Sequence, residues 1–313
     1  MALEVIDRRS RPSWLELETE AGPDGFPIRR YRVAPAPGRP PRGSLFFQTG
    51  RADFIEKYIE TLAHWRGRGW SVEGFDWRGQ GGSGRFLKDR TIGHSPPFDI
   101  HVTDLAERVA SWKARTPGPH YAIGHSMGGH LTLRMLVDAP GLVDRAVLVS
   151  PMMGIRVGLI GERVASVIAS LACRAGLAER AVWSTTPEAE ARRQTILTHS
   201  PERFADEMWW RQAYPELDLG PPSWGWLVAA WTSIAALRRP GVLEGVETPA
   251  LILCSERDRL VSSPEMLKVA ARLPHARLRA SAAVAHEVLR EEDSYRIWGL
   301  AEIDEFLEAQ PRS

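Results

Sequence analysis

The order of apolar and polar positions divides the chain into two patterns. Short apolar runs alternate with segments of helical spacing from Ser44 to Val149, and the alternation resumes from Ala250 to Leu307. Such alternation predicts βαβ units and a parallel sheet. Period-two alternation over 14–20 and 26–33, around a Gly-Pro-Asp-Gly turn, predicts a β-hairpin ahead of them. The strands predicted for the parallel sheet are 44–48, 70–75, 121–123, 146–149, 250–254 and 276–280; the helices are 54–65, 102–112, 127–137, 264–272 and 295–307.

The stretch from Pro151 to Pro240 breaks this alternation. Thr186-Pro187-Glu188 and Ser200-Pro201-Glu202 each place a capping residue before a proline, which is typical of a helix start. We therefore predict an α/β core built from residues 1–150 and 241–313. Residues 151–240, here named the cap, form a helical insertion after the sixth strand.

Tryptophan content and charge narrow the class of ligand. Six of the 12 Trp lie in the cap, and large apolar rings line many ligand grooves. We expect Gly50, Trp209, Trp210 and Trp224 to contact substrate. With 40 basic and 39 acidic residues the net charge is +1, which argues against nucleic acid as a partner.

The amino-terminal residues and the longest uncharged stretch bear on location. The first nine residues carry acids and arginines where a signal peptide has an apolar run. Leu219 to Leu237 carries no charge, but Pro221 and Pro222 leave about 15 helical residues, fewer than a membrane span needs. We expect a cytoplasmic protein whose cap makes at most transient contact with a membrane surface. Cys173 and Cys254 lie in apolar stretches and are predicted to be core residues.

A G-x-S-x-G motif carries the predicted chemistry. Gly124 to Gly128 follows an apolar strand and opens an amphipathic helix. In this context the glycines permit a sharp turn that lifts the Ser126 hydroxyl clear of the sheet. The turn also directs the backbone N–H of Met127, at the helix N-terminus, towards charge developing on a substrate oxygen.

A serine nucleophile needs a base and an acid that orients the base. Asp258 follows a predicted strand 132 residues after the serine, with Glu256 as a local competitor, and His286 follows the last strand 28 residues later. This Ser–Asp–His order along the chain is the one found in proteins whose nucleophilic serine lies on a G-x-S-x-G turn. For the second oxyanion donor we predict the backbone N–H of Arg51, in the loop after the first parallel strand, where Gly50 allows close approach of substrate.

The sequence resembles the α/β-hydrolase superfamily, and within it the monoacylglycerol lipase and lysophospholipase-like branch of serine hydrolases (serine aminopeptidase S33 type). The matching stretches are Asp76–Gly84, Gly124–His130, Ser255–Val261 and His286–Glu291. The resemblance implies an α/β-hydrolase fold with Ser126 as nucleophile, Asp258 as acid, His286 as base and the insertion as the family's cap. Many relatives carry His-Gly where this chain has Thr49-Gly50, which leaves substrate preference open.

The expected reaction is hydrolysis of a lipid-like carboxylic ester through an acyl-enzyme. An apolar stripe from Ile155 to Leu171 is expected to face the core and the substrate as a lid. A small-ester carboxylesterase and a proline-type aminopeptidase remain alternatives of the same fold. A non-catalytic binding module is the alternative of a different class. The aminopeptidase alternative rests on four acidic residues of the cap that could bind a free amine: Asp206, Glu207, Glu216 and Asp218.

Neither a cofactor nor a metal is predicted. Gly79-x-Gly81-x-x-Gly84 matches a dinucleotide fingerprint, but no helical pattern follows it to receive a pyrophosphate. No His or Cys spacing is typical of a zinc site.

Overall fold

A computed structural model describes residues 6–184 and 186–309. Residues 1–5, on which part of the signal-peptide argument rests, lie outside the described residues. The strands are β1 Leu15–Ala21, β2 Pro27–Val33, β3 Gly43–Gln48, β4 Trp70–Phe75, β5 His120–His125, β6 Arg145–Val149, β7 Ala250–Ser255 and β8 Ala276–Ser281. The helices are α1 Ile59–Gly67, α2 Phe98–Arg115, α3 Met127–Asp138, α4 Gly161–Ala172, α5 Pro187–Leu197, α6 Pro201–Ala213, α7 Trp224–Arg238, α8 Ser263–Arg272 and α9 Asp293–Glu308.

The eight strands form one sheet in the order β1-β2-β4-β3-β5-β6-β7-β8. The predicted hairpin β1–β2 is antiparallel and joins the sheet antiparallel to β4, whereas the strands from β4 to β8 run parallel. The predicted fold class, a mostly parallel sheet flanked by helices, is confirmed. Two helix starts differ from prediction. A 3-10 turn over Ile55–Tyr58 precedes α1, and α2 begins at Phe98, directly after two prolines that favour a helix start.

The sheet separates two apolar clusters. In β3, Phe46 packs into the cluster that contains α2, α3, α7 and α8, while Leu45 and Phe47 pack into the cluster that contains α1 and α9. This alternation follows from the two-residue period of a strand, which sends neighbouring side chains to opposite faces. Helices on both faces bury the parallel strands, so the carboxyl ends of β3, β5, β7 and β8 meet along one covered edge.

The cap contains α4 to α7, between β6 and β7. Helix α7 packs on the core, where the Trp226 and Phe98 rings lie 5.7 Å apart. The interpretation of the Ile155–Leu171 stripe is wrong for α4, whose apolar side faces outward. Its exposed members are Ile160, Val164, Val167, Ile168 and Leu171. Helix α4 touches α7 through small residues on its other side, Ala165 and Ala169, which are buried. Among the described helices, none has both the length and the apolar character that a membrane span requires.

Candidate active site

Ser126 stands on a sharp turn between β5 and α3. Its backbone has φ 53° and ψ −115°, a strained conformation for a residue with a side chain. The turn requires glycine on both sides. A Cβ on Gly124 would lie 2.5 Å from the carbonyl oxygen of Gly128, and a Cβ on Gly128 would lie 2.4 Å from that of Thr49. The Ser126 N–H donates to the carbonyl of Val149 at 2.9 Å, which fixes the turn to β6.

Ser126, His286 and Asp258 form a continuous hydrogen-bonded chain. The Nε2 atom of His286 lies 2.9 Å from Ser126 Oγ, and Nδ1 lies 2.7 Å from Asp258 Oδ2. The second carboxylate oxygen of Asp258 accepts the N–H groups of Leu260 and Val261 at 2.8 and 2.9 Å. All three members are buried. The local competitor Glu256 is exposed and takes no part in this chain.

Burial and charge shift the pKa values of the acid and the base in opposite directions. Burial disfavours the charged form of His286, but the charge and hydrogen bond of Asp258 outweigh it, and the pKa of His286 is raised above its ordinary 6.5. Burial opposes ionisation of Asp258 as well, yet His286 and the two backbone N–H groups lower its pKa. An ionised Asp258 therefore holds the imidazole with Nε2 facing the serine, the arrangement that general-base catalysis needs.

The loop 48–53, named here the oxyanion loop, lies against the serine turn. A Cβ on Gly50 would stand 2.9 Å from Asp53 Oδ2 and 3.2 Å from Ser126 Cβ, so a larger residue would crowd the serine turn. The Gly50 N–H donates to Asp53 Oδ2 at 2.9 Å, and the Ala52 N–H donates to Gln80 Oε1 at 2.6 Å. Met127 is the first residue of α3, so its N–H has no acceptor within the helix. Of the two predicted donors, Met127 directly follows Ser126 and Arg51 directly follows Gly50; their role stays a prediction.

A buried charge cluster joins the cap to the core beside this site. We use the name for Asp53, Lys57, Glu207, Glu287 and Arg290. Lys57 Nζ lies 2.8 Å from Glu207 Oε2 and 2.9 Å from Glu287 Oε1. Arg290 Nη1 lies 2.9 Å from Glu207 Oε2. Glu207 belongs to α6 of the cap, whereas the other four residues belong to the core, and Glu287 directly follows His286.

Two cap arginines complete the surroundings of Glu207. Arg193 and Arg211 approach its other oxygen at 3.0 and 2.8 Å. Burial raises the pKa of this carboxyl, but the surrounding cations Lys57, Arg193, Arg211 and Arg290 outweigh burial and hold the pKa well below its usual range. The sequence signalled nothing of this cluster, because its members come from three distant stretches of the chain.

A cavity of about 910 Å³ lies between the oxyanion loop and the cap. Arg51 and Ala52 line it from the core. Trp183, Arg193 and Arg211 line it from the cap, with Leu219 and Pro221. It is as large as a drug-sized ligand requires.

The three tryptophans predicted to contact substrate do not line this cavity. Trp209 and Trp210 pack with Tyr214 against the apolar cluster that contains α1 and α9, and the indole N–H of Trp210 donates to the carbonyl of Arg8 at 2.8 Å. Trp224 packs beside the larger apolar cluster at the start of α7. The ring that does line the cavity is Trp183, and Trp226 stacks on the Arg51 guanidinium at 5.2 Å. Trp209 and Trp210 lie in one apolar cluster and Trp224 beside the other, so a shared location in the cap does not imply a shared cavity.

The glycine-rich loop 79–84 makes contacts with neighbouring protein groups. Asp76 accepts the Gly82 N–H at 2.7 Å and is paired with Arg29. The next helix begins only at Phe98. Across the described ranges 6–184 and 186–309, no group of three or more His, Cys, Asp or Glu side chains could hold a metal ion.

The mostly parallel sheet with a serine turn between β5 and α3, an acid after β7 and a histidine after β8 defines the α/β-hydrolase class of proteins. Within that class, residues 39–293 match the family described as serine aminopeptidase, S33. The match covers well over half of the chain, which therefore belongs to this family of α/β hydrolases.

Two curated relatives and one solved structure are similar over most of their length. A probable lysophospholipase L2 of Haemophilus influenzae is 29% identical over 287 residues, which is 90% of this chain and 88% of the relative. Lysophospholipase L2 of Escherichia coli (strain K12) is 31% identical over 276 residues, 82% and 78% of the two chains. A soluble variant of monoglyceride lipase from Saccharomyces cerevisiae, solved with a substrate analogue, has a TM-score of 0.74 at 15% identity and covers 95% of this chain and 96% of its own.

Proposed function

We propose that this protein is a serine hydrolase that cleaves carboxylic esters of monoacyl lipids through an acyl-enzyme on Ser126. The observation that carries the proposal is the hydrogen-bonded chain from Ser126 Oγ through His286 to Asp258. The lysophospholipase names of the two curated relatives support an ester of a monoacyl lipid as the substrate class.

In the proposed reaction, His286 Nε2 takes the Ser126 proton as the oxygen attacks the ester carbonyl. Asp258 holds the imidazole and stabilises the positive charge that forms on it. The backbone N–H groups of Met127 and Arg51 donate hydrogen bonds to the negatively charged carbonyl oxygen. These hydrogen bonds stabilise the charge more strongly in a site that excludes water than in bulk solvent. His286 then returns the proton to the leaving alcohol. Water, deprotonated by the same nitrogen, releases the fatty acid and regenerates Ser126.

Among the alternatives, an aminopeptidase is disfavoured because most of the cap acids expected to bind a free amine are already paired with cations. A free amine needs an unpaired carboxylate near the nucleophile. Asp206 is paired with Arg8 and Arg9. The described structure surrounds Glu207 with four cations, and it pairs Asp218 with Arg211 at 3.1 Å. Glu216 is exposed.

Access to the site and contact with membranes are part of the same proposal. Ser126 is 7% exposed, and a cap that shifts from its position here would widen the path of a lipid to it. The outward apolar side of α4 supports transient contact of the cap with a lipid surface, where such substrates reside. A cytoplasmic location stays a prediction.

The test combines active-site labelling with a substrate series. A fluorophosphonate probe is expected to label the wild-type protein and the Ser111→Ala control, whose exposed serine lies on α2, but not Ser126→Ala. The wild-type protein is expected to hydrolyse p-nitrophenyl decanoate faster than the acetate. Absence of labelling in the wild type would favour a binding module, and equal or faster turnover of the acetate would contradict the lipid substrate.

A further inference from the structure

The Arg51 side chain is a cation without a carboxylate partner. Its Nη2 donates to the carbonyl of Gly220 in the cap at 2.6 Å, and the guanidinium stacks on Trp226. Its Nε is buried and has no hydrogen-bond partner. Among the residues whose side chains the structure describes, which leaves out Glu188, no Asp or Glu oxygen lies within ion-pair distance of it. A guanidinium presents five donors, so Arg51 has unused capacity to bind an anion.

The charges around Arg51 leave it uncompensated. Arg193 and Arg211 line the same cavity, but each already has carboxylates: Arg193 is 3.0 Å from Glu190, and Arg211 is 3.1 Å from Asp218. Burial, together with the positive charges of Arg193 and Arg211, lowers the pKa of Arg51 to about 9. Arg51 is therefore still a cation at neutral pH, in a place where a bound anion would relieve the repulsion.

The remaining carboxylate of the cavity does not compensate Arg51 either. Asp89 accepts both the hydroxyl of Thr91 at 2.6 Å and its N–H at 3.0 Å. The cavity of about 910 Å³ leaves room for a polar group of a ligand beside Arg51.

We propose that this cavity is the head-group subsite and that the Arg51 guanidinium binds the phosphate of a lysophospholipid. The inference rests on the proposed function. The backbone N–H of Arg51 is assigned to the oxyanion, so its own side chain stands one side-chain length from the reacting carbonyl. In a lysophospholipid the phosphate and the ester are likewise separated by a glycerol unit. The guanidinium of arginine binds a phosphate through two parallel N–H donors, whereas a monoacylglycerol has no anionic group that it could bind. Arg51 thus sets the preference for a phosphate-bearing lipid over a neutral one.

The first experiment compares two substrates of equal acyl chain, decanoyl lysophosphatidylcholine and decanoylglycerol. The readout is the ratio of their kcat/KM values, from which any general loss of activity cancels. Arg51→Gln is expected to lower this ratio about 10- to 100-fold, the range for a lost hydrogen bond to a charged group. Arg51→Lys is expected to retain part of the ratio. Arg90→Gln, which removes an exposed arginine from the loop before α2, is the matched control and should leave the ratio unchanged.

The second experiment needs no variant and covers the case in which Arg51→Gln does not fold. Glycerol 3-phosphate is expected to inhibit hydrolysis of p-nitrophenyl decanoate competitively in the wild-type protein, whereas glycerol at the same concentration does not. An unchanged substrate ratio in a folded Arg51→Gln, or equal effects of the two inhibitors, would overturn the subsite while ester hydrolysis stands. If the wild-type protein hydrolyses none of these esters, the proposed function itself fails.

Discussion

The serine turn and the junction between cap and core are held in place by different forces. At the turn, backbone atoms pack so closely that glycine is required at Gly124 and Gly128. At the junction, one buried carboxylate of the cap, Glu207, meets Lys57 and Arg290 of the core. Close packing tolerates little displacement, whereas an ion pair is broken completely when one partner is removed. The turn that carries Ser126 is thus set locally, whereas the contact of α6 with the core is set by charges from distant parts of the chain.

The largest expected effect lies on the Ser126 side of this comparison, in the hydrogen-bonded chain that reaches the serine. Asp258→Asn should lower kcat about 10⁴-fold with little change in thermal stability, because the imidazole loses the partner that fixes its orientation and charge. Only neutral His286 can act as base, so the wild-type kcat/KM should fall with decreasing pH through an ionisation above pH 6.5. Without the Asp258 carboxylate, burial is opposed only by the weaker effects of Glu287 and Asp53, so the pKa of His286 should fall. The loss of the variant's residual activity in acid should therefore occur at lower pH than in the wild-type protein. The measurement is a pH profile with p-nitrophenyl decanoate.

Glu256→Gln is the matched control for that experiment. It removes an exposed carboxylate two residues away that contacts neither His286 nor Ser126. Its kcat should stay near the wild-type value. A comparable loss in this variant would mean that the local field, and not the contact of Asp258 with His286, sustains the activity.

A smaller effect is expected at the junction. Glu207→Gln removes the negative charge from a site buried among four cations and should destabilise the protein by about 3–5 kcal/mol, measured by urea unfolding. Amide hydrogen exchange should then rise in α5 and α6 and remain slow in α3. Glu202→Gln, on the same helix with a side chain 83% exposed, should change stability by less than about 0.5 kcal/mol. If amide exchange also became faster in α3, the serine turn and the junction between cap and core would not be independent of each other, which would contradict the comparison.

The smallest effect concerns the outer side of the cap. Val167 on α4 is 58% exposed, and Val167→Ser should reduce the fraction of protein that sediments with phosphatidylcholine vesicles severalfold, because burial of one valine contributes about 1.5 kcal/mol or more. Ile297→Ser removes an exposed apolar side chain from α9 and should leave vesicle binding unchanged. Equal losses in both variants would assign the binding to general hydrophobicity and not to the cap.

The contrast between features set by neighbouring residues and features set by distant residues explains how much of the structure could be predicted from the sequence. The strands, the hairpin and the motif around Ser126 depend on side chains within a few residues of each other, and their positions were predicted to within about three residues. Glu256 and Asp258 were both candidates from the sequence, and only the folded loop separates the buried acid from the exposed one. The prediction for the cap was less successful. Periodicity revealed an apolar side on α4 but not the direction in which it faces.

The buried ion pairs that sequence analysis missed share one property. Lys57, Glu207 and Arg290 acquire their role only when stretches separated by 83 to 230 residues meet in the fold. A charged residue within a helix is most often solvent-exposed, and nothing local distinguishes Glu207 from Glu202 in α6. The side chain of Arg51 was missed for a related reason, because its role depends on which carboxylates do not reach it.

The single carboxylate of Glu207 also limits how freely this scaffold can be recombined. A cap transplanted from a relative to change the substrate range must bring an acid to the same place, or Lys57 and Arg290 each lose a buried carboxylate partner. Because Glu287 pairs with both of those cations and directly follows His286, such a mismatch would begin one peptide bond from His286. For protein engineering, cap and core are therefore a matched pair, and exchange of this module should carry Lys57, Glu207, Glu287 and Arg290 together as a unit.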